Sequence, residues 1–144
     1  MRKLLILLFI VLFLSHGTFT YTLQSESSFS HISLPQDVKN LIDENTSQVL
    51  FLFGIICVGG CPIGNYIQTI KSETDIVYIL LPESTSNDLS NFRRGLAVEG
   101  KVLAASQENF EFVKYLAEKM QKTDYRENFV IKLDKTKVVD IKIY

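Results

Sequence analysis

Two apolar runs constrain this chain most. QVLFLFG, residues 48 to 54, and DIVYILLP, residues 75 to 82, are apolar at every central position. A strand with one wet face alternates; a run that does not alternate and is bounded by turn residues reads as a strand buried on both faces. Between them, PIGNYIQTIKSE places Ile63, Tyr66, Ile67 and Ile70 at spacings of three and four, one face of a helix. Pro62 suits the first helical position, where its missing N–H costs nothing. Buried strand, helix, buried strand is a βαβ unit, which predicts parallel strands and a right-handed crossover.

The rest extends that unit. STSNDLSNFRRGLAVEG carries Leu89, Phe92 and Leu96 on a helix, with Asn87 or Asp88 as cap and Gly100 as end. KVLAAS is a short strand. QENFEFVKYLAEKMQK is a helix with Phe112, Tyr115, Leu116 and Met120 on one face and with Lys119 and Lys122 near its end, where cations are favoured. ENFVIKLD and KVVDIKIY are strands joined by a tight DKTK turn; Val130, Lys132 and Asp134 alternate with Ile131 and Leu133, as in a half-exposed hairpin. Ahead of all this, Val38, Leu41 and Ile42 predict a short helix from Asp37 to Asp43. The order β-α-β-α-β-α-β-β implies an α/β fold: a mixed central sheet, helices on both faces, and a terminal antiparallel β-hairpin.

A chain of 144 residues, 47% hydrophobic with ten Phe and six Tyr, holds one domain with a real core. Fifteen basic against sixteen acidic residues give a net charge of −1, with no basic block, so no nucleic-acid partner is expected. The first residues have the layout of a secretory leader: basic MRK, the apolar LLILLFIVLFL at 4 to 14, then small residues Ser15 and Gly17. Eleven apolar residues fall short of the about 20 that span a bilayer. The expected layout is a signal peptide over 1–17, a polar spacer over 18–36 that ends extended, and the folded domain over 37–144. The protein is then exported, periplasmic or extracellular; only an uncleaved leader, residues 4 to 19, would attach it to a membrane. Asn45 opens an Asn-Thr-Ser sequon, expected to be silent.

The chain's two cysteines, Cys57 and Cys61, lie in FLFGIICVGGCPIGNY, where the first buried strand gives way to the helix. Pro62 at the first helical position puts Cys61 at the N-cap, where unpaired N–H groups and the helix dipole favour a thiolate. Gly59 and Gly60 allow the chain to turn back, and a disulfide needs α-carbons about 4.4–6.8 Å apart. Outside the cytoplasm such a pair can be oxidised and stay so. As a mere staple it gains little: about 2 kcal/mol for so short a loop, against about 4.7 for a hundred-residue one. The carboxyl end of a central parallel strand is also where α/β folds place their sites.

Taken together, VLFLFGIICVGGCP, CVGGCP and YRENFVIKLDKTKVV resemble segments of the thioredoxin-like superfamily, over residues 37 to 144. The resemblance is to exported redoxins of the TlpA and ResA type, with partial features of peroxiredoxins and of Sco-type copper proteins. It implies an exported thiol–disulfide oxidoreductase that uses Cys57 and Cys61, needs no cofactor or metal, and takes protein thiols or disulfides as partners. TlpA-type redoxins would make Cys57 the attacking thiolate, whereas the helix start favours Cys61; both stay open.

The departures from these families are specific. Val58 and Gly54 stand where peroxiredoxins keep a Thr or Ser and a Pro. Ile56 replaces the Trp that usually precedes the TlpA-type pair, and Arg126 occupies the position of the cis-proline that faces it. Arg126 also falls where peroxiredoxins place a thiolate-favouring arginine, though KTDYREN reads as a solvated loop. The Sco-type alternative, copper binding and delivery, suits two thiolates but lacks its downstream histidine: the histidines are His16 and His31, so only His31 or Met120 could stand in. The third alternative is a degenerate redoxin fold used for protein binding. Arg93 and Arg94 read as an exposed helix face.

Overall fold

The structure is a computed structural model that describes residues 29–53, 61–81, 86–124 and 126–144. The leader, the spacer as far as residue 28, and the segment 54–60 with Cys57 lie outside the described residues. In chain order the elements are α1 (Gln36–Lys39), β1 (Gln48–Phe53), α2 (Pro62–Ile70), β2 (Ile76–Leu81), α3 (Ser86–Leu96), β3 (Lys101–Ala104), α4 (Gln107–Lys119), β4 (Phe129–Asp134) and β5 (Lys137–Ile143). The five strands form one sheet in the order β3-β2-β1-β4-β5. β1 pairs parallel with β2, and β2 with β3; β4 is antiparallel to both β1 and β5. This is the mixed α/β sheet with a terminal hairpin that the strand patterns predict.

Because side chains alternate across a strand, β1 feeds two cores. Val49 and Phe51 join Val77, Ile79, Phe129 and Ile131 on one face, covered by Phe112, Val113, Leu116 and Ala117 of α4. Leu50 and Leu52 join Ile76, Tyr78, Leu80 and Val130 on the other, covered by Ile63, Ile67 and Ile70 of α2 and by Leu96 of α3. The crossovers α2 and α3 therefore share one face as the chain steps outward from β1 to β3. α4 returns across the other face, and β4 takes the free side of β1. Both faces of β1 and β2 are sealed, which is why neither strand alternates.

Several sequence expectations shift. Residues 32–34, read as the end of a polar spacer, place Ile32 and Leu34 in the core beneath α4. The first helix stops at Lys39 and does not reach Asp43, because Asp43 closes its own turn: its carboxylate accepts from Asn45 N–H at 2.9 Å, and its N–H donates to Thr46 Oγ1 at 3.0 Å. α3 begins at Ser86, so Asn87 and Asp88 lie within it. It ends at Leu96, with Ala97 and not Gly100 in the left-handed region at φ 53°. In α4 the buried stripe is Asn109, Phe112, Val113, Leu116 and Ala117; Tyr115 is 38% exposed and faces away. Val130 is wholly buried, since β4 is flanked by two strands and covered on both faces. The DKTK turn is tight as expected: Lys135 and Thr136 take φ of 47° and 71°, the left-handed pair that matches hairpin twist.

Two local devices complete the frame. Ser106 and Asn109 cap α4 reciprocally, the Ser106 hydroxyl accepting from Asn109 N–H at 3.2 Å and the Asn109 side chain accepting from Ser106 N–H at 3.1 Å. Asn109 is almost wholly buried, and its Nδ2 donates to Asp37 at 2.8 Å, tying α1 to the start of α4. By contrast, the hydroxyl of fully buried Tyr78 has no hydrogen-bond partner. Burial pushes that phenol's pKa well above its ordinary value. An unpaired buried hydroxyl costs about 1–3 kcal/mol. Tyr78→Phe is accordingly expected to raise stability by about 1 kcal/mol, read as a higher urea midpoint at unchanged slope.

Candidate functional site

The carboxyl end of β1 is where the strand order turns: the chain leaves β1 toward β2 on one side, and β4 arrives later on the other. Open α/β sheets leave a crevice at such a point. The start of α2, the end of β1, the start of β4 and the end of β5 all meet at this edge of the sheet, because β4 and β5 run antiparallel within it.

Cys61 occupies the N-cap of α2. Its backbone is extended, at φ −106° and ψ 150°, and Pro62 holds the first helical position. Its carbonyl accepts the first helical bond, from Asn65 N–H at 3.0 Å. Its side chain makes no capping hydrogen bond, and the first turn of α2 carries no acidic residue. The field at this sulfur is thus that of the helix start, with no nearby helix carboxylate opposing it. Cys61 is half-buried against the core layer under α2, and it is disulfide-bonded. Cys57, the chain's other cysteine, lies outside the described residues.

Side chains of β1, α2 and the terminal hairpin meet in contacts that sequence reasoning did not assemble: Tyr66 and Tyr144 lie on the sheet face that receives Cys61, and Phe53 lies on the opposite, α4 face. Tyr66, one turn into α2, stacks on Tyr144 beyond the end of β5, with centroids 5.0 Å apart and planes 27° apart. The Tyr66 hydroxyl donates to Gln48 Oε1 at the start of β1. Partial burial, then the neighbouring Tyr144, raises the Tyr66 pKa, so this donor keeps its proton. Phe53, the last residue of β1, meets the ring of Phe110 from α4 at 6.4 Å. Its N–H donates to Asn128 Oδ1 at 2.9 Å. The periodic pattern marks Tyr66 as part of a helix face, but nothing local in the sequence marks Asn128 or Tyr144, whose partners are remote in the chain.

The other candidate residues fall elsewhere. Arg126 is exposed, and Asp124 engages it through two contacts of 3.1 Å, Nε to Oδ1 and Nη2 to Oδ2. The Arg126 guanidinium holds the Asp124 carboxyl below its ordinary pKa. This is the solvated charged loop that KTDYREN suggests. Met120 packs on the α4 side of the sheet, the face opposite the layer that receives Cys61. His31 is exposed beside Glu108, Glu111 and Tyr115 along α4. Among the described residues no group of three or more His, Cys, Asp or Glu side chains is placed to hold a metal ion, and no helix is long and apolar enough to cross a membrane. Comparisons with protein-family models, with curated proteins and with solved structures found no match.

Proposed function

We propose that this chain is an exported thiol–disulfide oxidoreductase of thioredoxin-like fold in which Cys57 and Cys61 cycle between dithiol and disulfide. The observation that carries the reading is the seat of Cys61: an extended N-cap before Pro62, at the carboxyl end of the central parallel strand, with no acid in the first turn. Such a seat favours the thiolate, and the thiolate is the attacking species. In the reductive direction one cysteine thiolate attacks a sulfur of a partner protein's disulfide. A mixed disulfide forms, and the partner's second sulfur leaves as a thiolate. The remaining cysteine then attacks the mixed disulfide and releases the partner as a dithiol. Two electrons pass from the pair to the partner, and the Cys57–Cys61 disulfide is left behind. The reverse sequence oxidises a partner dithiol, and the relative potentials set the direction.

The test is a glutathione titration of the purified chain, with alkylation read by mass. The expected potential lies in the range of redox-active pairs, about −270 to −120 mV, with one thiol pKa well below about 8.5. The Cys57→Ser/Cys61→Ser double variant is expected to lose exchange activity entirely while its far-ultraviolet spectrum stays native. A disulfide that resists reduction below about −300 mV, or exchange that survives in the double variant, overturns the reading.

A further inference from the structure

The end of β1 is held by a side chain where its strand neighbour has peeled away. Pairing between β1 and β4 stops at Phe51 and Phe129, yet β1 runs on beside β2 as far as Phe53. At Phe53, Asn128 supplies what the ladder no longer does: its Oδ1 accepts the Phe53 N–H at 2.9 Å. Asn128 also grips the end of the hairpin. Tyr144 N–H donates to the Asn128 carbonyl at 2.9 Å, and Asn128 N–H donates back to the Tyr144 carbonyl at 3.4 Å. The Nδ2 contact to that same oxygen, at 3.5 Å, is too long to add much. Tyr144 in turn lays its ring on Tyr66 of α2. Through this one residue, the strand that leads into the cysteine segment is tied to the helix that Cys61 caps.

We infer that Asn128 is a positioning residue for the cysteine pair: it fixes the end of β1 against α2, the helix that Cys61 caps, so that the disulfide closes at little cost in chain ordering. The inference rests on the exchange reading above. The physical argument is one of pre-organisation. A disulfide tolerates only a narrow range of α-carbon separations. In the dithiol state nothing covalent holds the two flanks, so the fold has to. Flanks held in advance lose less freedom when the bond forms. Releasing them favours the dithiol and makes the pair more oxidising.

The experiment compares wild type, Asn128→Leu and Tyr144→Leu by glutathione titration, with urea unfolding run in parallel. Asn128→Leu is expected to lower the equilibrium constant for disulfide formation by up to about tenfold, which for a two-electron couple raises the potential by about 30 mV. Tyr144→Leu, which removes the ring from Tyr66 and leaves the Asn128 side chain in place, is expected to shift it about threefold in the same direction. A merely structural role would lower the urea midpoint and leave the constant alone, and that result overturns the inference. Should Asn128→Leu give no cooperative transition, Tyr144→Leu decides alone: an unchanged constant overturns the inference. A wild-type pair with no measurable glutathione equilibrium sinks the exchange reading and takes this inference with it. A wild-type pair that titrates normally, with variants indistinguishable from it, sinks the inference only.

Discussion

Gly100→Ala is expected to destabilise the protein by about 3 kcal/mol, the upper end of what a single added methyl does in a packed site. A β-carbon at Gly100 would collide with the Ile76 carbonyl oxygen and stand 2.9 Å from the Tyr78 ring. The first obstacle is backbone at the start of β2, a strand that pairs with β1 on one side and β3 on the other. It cannot give way without pulling a sheet ladder out of register. The second is a fully buried ring, packed at 5.7 Å against Phe92. Gly95 provides the control. It lies in α3 with nothing within 4 Å of the same added atom, so Gly95→Ala is expected to stabilise by about 0.5–1 kcal/mol through helix propensity alone. Urea midpoints at constant slope measure both. Equal effects at the two positions would show that Gly100 is not wedged against β2.

Phe51→Ala is expected to cost about 3–5 kcal/mol. Phe51 is fully buried on the central strand, and its ring lies 5.4 Å from that of Phe112 at a tilt of 50°. Truncation removes the transfer free energy of the ring and leaves a cavity that two packed layers cannot collapse. A domain of this size is typically stable by about 5–15 kcal/mol, so the loss is a large share of the total. Phe51→Leu keeps most of the volume and is expected to cost about 1.5 kcal/mol or less. Thermal melts resolve the two. A loss under about 1 kcal/mol for the alanine variant would mean that the site repacks.

The parts of the fold legible in the sequence are those set by local pattern. Val49 to Phe53 and Ile76 to Leu81 announce buried strands because no position between them is polar, and the structure seals both faces. Ile63, Ile67 and Ile70 announce the face of α2 for the same kind of reason. What local pattern misplaces depends on distant partners. Val130 alternates like an outer-strand residue, yet it is buried because β4 takes a place between β1 and β5. Tyr115 fits the helical period of its neighbours, but Val113 and Ala117 take the buried places beside Phe112 and Leu116. Gly100 looks like a helix stop and is instead a close approach between backbones. The candidate site divides in the same way. Pro62 gave away the seat of Cys61, whereas Asn128 acts on Phe53 across 75 residues of chain, a relation no local pattern carries.

The position of β1 has a consequence for how the chain is made. Among the described strands it is the first to be synthesised and the middle one of the finished sheet. Its β2 neighbour follows after one helix, but β4 emerges only after α3, β3 and α4 have also passed. Until then the edge Gln48–Phe51 that β4 will cover presents open amide and carbonyl groups on a run of Val, Leu and Phe, the composition most prone to pairing with another chain. The nascent protein is therefore most exposed to aggregation just before its last hairpin arrives, and that hairpin, on the rim of the sheet, acts as the closing piece that ends the danger.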